Sequence, residues 1–364
     1  MATDAKKEWD AYRTNELTRV RTRLTKLGYS LSPNQVHVSG ERFLMSGKKL
    51  VLVGTRLSDT KRVIIKASSD ANGAKEIESE HQLRVTLPHL PFAYQSFPAP
   101  EELLFEKHDG LTVAITGFIP EEKRFLEYPL RKQFVLALKE LKAQEATHTV
   151  AYGHDRIIRH IFEKADAKSY LADFSSFAHD IDTNTPKNAS LQETIKNAAT
   201  FLINHVKTIE QYCGFLTHTD FVPHNLRVTQ EQVYLLDHTS FRFGNKYESW
   251  ARFLNYMLLY NQPLEQTLVE YVRENRTPEE YLSLRLMRAF KLGQLLAYYA
   301  RSLTRTTGDL HTLTQARLDF WAEVLDAILV DEPVSPETIE NYKTRRDALR
   351  SEEEKARQRE FAQV

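Results

Sequence analysis

The stretch from Gly214 to Val228, GFLTHTDFVPHNLRV, sets Asp220 and Asn225 five residues apart with Pro223 between them. In a short turn between apolar runs, such a pair aims two oxygen-bearing side chains at one point. Phosphoryl transfer is a chemistry that needs this arrangement. The transferred group carries spread negative charge, so catalysis consists mostly of positioning and neutralising it. A carboxylate must accept the acceptor's hydroxyl proton, and Asp220 suits that role. Magnesium takes one or two protein carboxylates together with water and phosphate oxygens. Asn225 offers an amide oxygen, and Asp237, ending the apolar run VYLLD, offers the anionic ligand. A hairpin through TQEQ brings Asp237 back beside Asn225. A lysine for the α- and β-phosphates, held extended by a carboxylate, completes the set. Lys66 ends the β-branched run RVIIK, and the segment after it offers Glu76, Glu78 and Glu80. Glu80 is the first choice among the three, because Leu83 and Leu87 place it beside a buried stripe.

These residues need elements to hold them. Leu17, Val20, Leu24 and Leu27 recur at helical spacing, and Gly28 suits the left-handed position that ends a helix. Leu50–Thr55 and Arg62–Lys66 read as a hairpin around LSDTK. GAKEIESEHQLRVTL has helical spacing, and ELLFEKHDGLTVAITGFI reads as two strands around an Asp109–Gly110 turn. After Pro120 the pattern becomes mostly helical. Ser190 and Glu193 have the spacing of a capping box, followed by one apolar face through Ile195, Ala199, Leu202, Val206 and Ile209. NLRV and VYLLD are short extended pieces, and helical patterns resume from Ser249 to about Val330. The expected fold class is α+β, with a small β-rich N-terminal lobe and a larger helical C-terminal lobe. The expected organisation is an N-terminal helical extension over 1–35, a nucleotide-binding lobe over 36–118, a helical lobe over 119–332 and a charged tail over 333–364. The tail has few apolar residues, which predicts a fraying, solvated helix or disorder.

The chain has 364 residues, with 49 Lys plus Arg against 49 Asp plus Glu. That balance points to no general affinity for nucleic acid or membranes. Cys213 is the single cysteine, so a disulfide framework and a multi-cysteine zinc site are excluded. The charged N-terminus lacks the apolar core of a signal peptide, and no run approaches a membrane span. A cytoplasmic protein is expected.

HTDFVPHN resembles the catalytic loop of the aminoglycoside phosphotransferase and choline kinase-like family, through His218, Asp220, Pro223 and Asn225. LLDHTSF resembles the family's metal-binding strand, VIIK its phosphate-anchoring strand, and EIESEHQLRVTL the partner helix. The matches run in family order. The resemblance implies a two-lobed protein-kinase-like fold and an ATP-dependent kinase of small molecules. It implies Asp220 as the base, Asn225 and Asp237 as Mg2+ ligands, and Lys66 on the phosphates of ATP, paired with Glu80. Backbone groups near Gly117 and Phe118 would meet the adenine, and His218 would fix the loop by hydrogen bonding. The chain departs from the family pattern in four places. Thr219 stands where Gly is usual, Ser39–Lys49 lacks a regular Gly-x-Gly-x-x-Gly, Asn245 follows Gly244 where Gly-Asp-Pro is frequent, and Glu248 or Ser249 stands where a later Asp is usual.

Two other classes fit some of the same residues. His218, Asp220, His224, Asp237 and His238 suit a metal-dependent hydrolase. The irregular covering loop and Thr219 suit a nucleotide-binding module without catalysis. For the kinase reading, the partners are a nucleotide and a small hydroxylated metabolite. Residues 241–330 carry 11 Lys plus Arg and 10 Asp plus Glu, so no acidic bias marks a polycation site. Phe241, Phe243, Tyr247, Trp250, Tyr298 and Tyr299 leave choline-like and sugar-like acceptors both open. Oligomeric state is not written in the sequence.

Overall fold

A computed structural model describes residues 4–45, 47–89, 98–148, 161–230 and 232–361. The first lobe is a five-stranded antiparallel sheet of order β1-β2-β3-β5-β4. Its strands are β1 (Tyr29–Leu31), β2 (Leu50–Arg56), β3 (Arg62–Ser68), β4 (Glu102–His108) and β5 (Leu111–Gly117). Strand alternation gives the sheet two different faces. On β3, Val63, Ile65 and Ala67 are buried in one apolar cluster with Leu50, Leu52, Val113 and Ile115. Helix α1 (Asp4–Lys26) adds Trp9, Val20 and Leu24 to that cluster, so it covers this face of the sheet. Ile64 and Lys66 point the other way, into a cleft. The register sets Lys66 between Val51 and Ala114. Asp109 and Gly110 both have positive φ, 49° and 71°, as the tight two-residue hairpin between β4 and β5 requires. Helix α2 (Ala71–Thr86) is capped by Asp70, whose carboxylate accepts from the Asn72 and Gly73 amides at 3.1 Å each.

The second lobe is built from α3 (Leu130–Glu145), α4 (Ala167–Asn184), α5 (Ala189–Asn204), α6 (Val206–Gln211) and four later helices. These are α7 (Glu248–Tyr260), α8 (Gln262–Asn275), α9 (Pro278–Leu303) and α10 (Gly308–Leu329). Trp250, Phe253, Phe290, Leu296 and Trp321 lie in its core. Two small antiparallel pairs sit at the cleft. One joins β6 (Phe215–His218) to β9 (Phe241–Gly244), and the other joins β7 (Leu226–Val228) to β8 (Val233–Leu235). The two-lobed α+β fold expected from the sequence is the one found.

Three local expectations differ from the structure. Helix α5 starts at Ala189 and is capped by Asn188, whose side chain accepts from the Leu191 amide at 3.1 Å, so Ser190 and Glu193 form no capping box. A break at His205 divides the expected apolar face, and Val206 and Ile209 belong to α6. The charged tail is not a fraying helix. It forms α11 (Pro336–Leu349) and α12 (Glu352–Phe361), with Ile339, Tyr342, Arg346, Glu354 and Arg357 buried. The Tyr342 ring stacks on Phe320 of α10 at 4.1 Å. Glu354 pairs with Arg357 at 2.7 Å, which neutralises a buried charge inside the tail.

Candidate active site

Lys66 leaves β3 toward the cleft and meets Glu80 of α2. Its ammonium donates to both carboxylate oxygens, at 2.6 and 2.5 Å. Glu80 is buried, and Arg84, one helical turn on, donates to it at 2.9 Å. Burial would raise the Glu80 carboxyl, but Lys66 and Arg84 outweigh it and hold the group below its ordinary value. The other two glutamates go elsewhere: Glu76 to Lys49 at 3.1 Å, and Glu78 to Lys107 at 2.8 Å.

The loop after β6 is tied down at both ends. The His218 amide donates to Gln144 Oε1 at 2.9 Å and to Ser249 Oγ at 2.8 Å. Ser249 is also 2.6 Å from the Thr217 hydroxyl. Of Glu248 and Ser249, Ser249 therefore supports the loop. Glu248 faces Arg242 and Tyr170 instead, at 2.8 and 2.7 Å. The His218 ring is buried, and its Nε2 lies 3.0 and 3.1 Å from the carbonyls of Leu236 and Asp237. Two carbonyls can only accept, so Nε2 carries the proton. Burial lowers the His218 pKa, which keeps the ring neutral. The ring thereby links the two loops that carry Asp220 and Asp237. Thr219 adds a bond from its amide to the Ser240 carbonyl at 2.8 Å.

Asp220 lies deep in the cleft yet keeps part of its carboxylate open. One oxygen accepts from Arg252 of α7 at 2.9 Å, and the other from Asn225 Nδ2 at 3.0 Å. Burial would raise its pKa, but Arg252 and then His224 offset this, and the carboxyl sits below its ordinary value. The Asn225 amide nitrogen is committed to Asp220, which leaves the amide oxygen for a cation. Asp237 adopts φ 55°, the left-handed region that Asp tolerates better than most residues. Its oxygens accept from Thr239 at 2.7 Å and Ser240 at 3.2 Å. Burial pushes its pKa up, but Lys66 and Lys49 more than reverse this and hold Asp237 well below the carboxylate range.

A cavity of about 240 Å³ is lined by Lys66, Glu80, Gly117, Phe118, Asp220, Asn225 and Asp237 together. His218, the remaining residue to which the resemblance assigns a role, stands behind its wall. The Gly117 and Phe118 amides donate within the lobe, to Glu101 at 2.9 Å and Arg62 at 3.3 Å. Ile119, the next residue, also lines the cavity. Sequence reasoning missed Lys49 and Arg252. Lys49 stands two positions before Val51 and shares its cleft-facing side, so strand alternation carried a signal for it. Arg252 had none, because its helix returns to Asp220 from 32 residues away. Residues 39–45 form tight turns rather than a glycine loop, and Arg42 donates to the Lys49 carbonyl at 2.9 Å.

Asn225 and Asp237 are hard oxygen donors beside Lys66, which suits Mg2+ bound with phosphate oxygens. Among the described residues, no group of three or more His, Cys, Asp or Glu side chains is placed to hold a metal by itself. No helix among them is long and apolar enough to cross a membrane.

The architecture is that of the aminoglycoside phosphotransferases. A thermostable mutant of aminoglycoside phosphotransferase APH(4)-Ia in its apo form matches with TM-score 0.57 and 13% identity, over 79% of this chain and 92% of that one. The GDP complex of aminoglycoside 2'-phosphotransferase-IIIa matches with TM-score 0.55 and 14% identity, over 78% and 89%. ADP-bound APH(2'')-Ib matches with TM-score 0.53 and 12% identity, over 78% and 92%. At such identities the likeness is one of fold. No family model matches the sequence, and no curated protein matches it.

Proposed function

We propose that the protein is an ATP-dependent phosphotransferase acting on a hydroxyl of a small molecule. The observation that carries this reading is the convergence of Lys66, Glu80, Asp220, Asn225 and Asp237 on one cleft between the lobes. Lys66, braced by Glu80, would hold the α- and β-phosphates. Asn225 and Asp237 would hold Mg2+, which supplies charge neutralisation on the phosphate oxygens. The acceptor oxygen forms a bond to the γ-phosphorus as the bond to the bridging oxygen of ADP breaks. Asp220 takes the hydroxyl proton. Solved proteins of this fold have been captured as ternary complexes with ADP or AMP-PNP and hygromycin B, which supports a nucleotide and a hydroxylated acceptor side by side.

The placement of the histidines speaks against a hydrolase centre. His218 Nε2 donates to two carbonyls, and among the described residues no group of three or more His, Cys, Asp or Glu side chains is placed to hold a metal. One observation favours nucleotide binding without transfer: both Asp220 oxygens are engaged, by Arg252 and Asn225. An ADP-release assay over a metabolite panel separates the two. Transfer predicts turnover that falls about 1,000-fold or more in Asp220→Asn while nucleotide still binds. Nucleotide binding with no turnover on any acceptor supports the non-catalytic reading.

A further inference from the structure

A second cavity, about 580 Å³, shares Asp220, His224 and Arg227 with the first. It is where an acceptor would sit. Seven arginines and five carboxylates line it. Each carboxylate is already faced by an arginine of the same cavity. Glu41 pairs with Arg317 at 2.7 Å, Glu354 with Arg357 at 2.7 Å and Asp220 with Arg252 at 2.8 Å. Glu127 pairs with Arg124 at 2.5 Å, and Glu121 lies 3.5 Å from Arg227. Two arginines remain over, Arg346 and Arg350, both contributed by the charged tail. Arg346 pairs with the exposed Asp347, outside the cavity, and lies over the Tyr260 ring at 5.7 Å, but its buried Nη1 has no hydrogen-bond acceptor among the described residues. Arg350 Nε and Arg227 Nη2 are likewise buried without an acceptor, and Arg227 is 3% exposed. A buried guanidinium N–H left unbonded costs free energy, so three of them around one cavity mark a place where an anion belongs.

Resting on the phosphotransferase reading, we infer that the acceptor is an anionic hydroxylated metabolite, carrying a phosphate or a carboxylate. Arg346, Arg350 and Arg227 receive the anionic group, and the hydroxyl is presented at Asp220. Arginine's planar fork suits both anions through paired hydrogen bonds. Tyr256, Tyr260, Tyr298 and Tyr299 supply a wall for a sugar-like body. A polycationic acceptor would need free carboxylates, and the cavity has none to spare. The aromatic wall resembles what a quaternary amine needs, but a surplus of two arginine charges repels such a ligand.

The test is calorimetric titration of the full-length protein loaded with Mg2+ and AMP-PNP. The probes are glucose 6-phosphate, gluconate, glucose and kanamycin. The expected result is binding of glucose 6-phosphate, gluconate or both, and no binding of glucose or kanamycin. Whichever of the two anions binds identifies phosphate or carboxylate as the group recognised. Arg346→Ala with Arg350→Ala should weaken that binding roughly 10- to 100-fold at unchanged AMP-PNP affinity, the scale of a lost charge-assisted hydrogen bond or two. Arg346→Lys with Arg350→Lys keeps the charge and should recover part of the loss. The inference is overturned if neither anion binds, if kanamycin or glucose binds as well as they do, or if the alanine pair binds unchanged. Failure of the wild-type protein to bind AMP-PNP at all overturns the phosphotransferase reading itself, and this inference with it.

Discussion

Glu140 shows how one side chain can set a pH dependence. It lies on α3, 1% exposed, and Oε2 has no hydrogen-bond partner among the described residues. Burial pushes its carboxyl from 4.5 up to about 7. The folded state therefore holds a proton that the unfolded state releases near pH 4.5. Stability from this group is greatest at low pH and declines as pH rises from there through about 7, where the buried charge appears. The shift corresponds to a cost on the order of 3 kcal/mol in alkaline solution. Glu140→Gln should leave the urea midpoint nearly unchanged at pH 5 and raise it at pH 8. Equal midpoints for both proteins at pH 8 would show that the charge is accommodated. Residues of the candidate catalytic loop were legible for a different reason. Asp220 and Asn225 lie in one short loop, so their spacing alone fixes their proximity. Arg252 comes from another element, and nothing local ties it to the site, whereas Lys49 was betrayed only by its alternation with Val51.

At the scale of elements, the turn over residues 40–44 is clamped to the second lobe. Arg317 of α10 donates to both Glu41 oxygens at 2.7 and 3.0 Å, and the Glu41 amide donates to Glu354 at 2.9 Å. Arg305 donates to the carbonyls of Phe43 and Leu44. Arg317 is only 5% exposed, so removing its partner strands a buried charge. Glu41→Ala should cost about 3 kcal/mol in urea unfolding, whereas Glu41→Leu with Arg317→Met should recover most of it. Additive losses in the double variant would mean that the pair is not coupled. Nothing local announces this clamp, because Arg305 and Arg317 lie more than 250 residues from Glu41 and Glu354 belongs to the charged tail. Ile339 and Tyr342 make too thin a stripe to signal burial. Glu354 and Arg357 look like solvated charges until they are seen to pair. The strands were easier to read: β-branched runs and the Asp109–Gly110 turn specify them locally. Strand β6 was not read as a strand, because its partner β9 lies some 25 residues away and pairing is not a local property.

The whole molecule brings together residues from both lobes around one cleft. Lys66 comes from a sheet whose other face is covered by α1, and Asp237 from a loop tied to Asp220 through His218. The order of these pieces along the chain was legible, and so was the change from β-rich to helical segments that separates the lobes. The charge balance of the proposed acceptor cavity was not, since its arginines come from several separate stretches of chain, from Arg124 to Arg357. The central claim is that Lys66, Asn225 and Asp237 act on one magnesium-bound triphosphate. Calorimetric titration with AMP-PNP, with and without Mg2+, tests it most directly. Wild-type protein should bind AMP-PNP more tightly with Mg2+ present. Asp237→Asn should abolish the Mg2+ dependence, and Lys66→Ala should weaken binding by about 10-fold or more. Unchanged, Mg2+-dependent affinity in both variants would contradict the account.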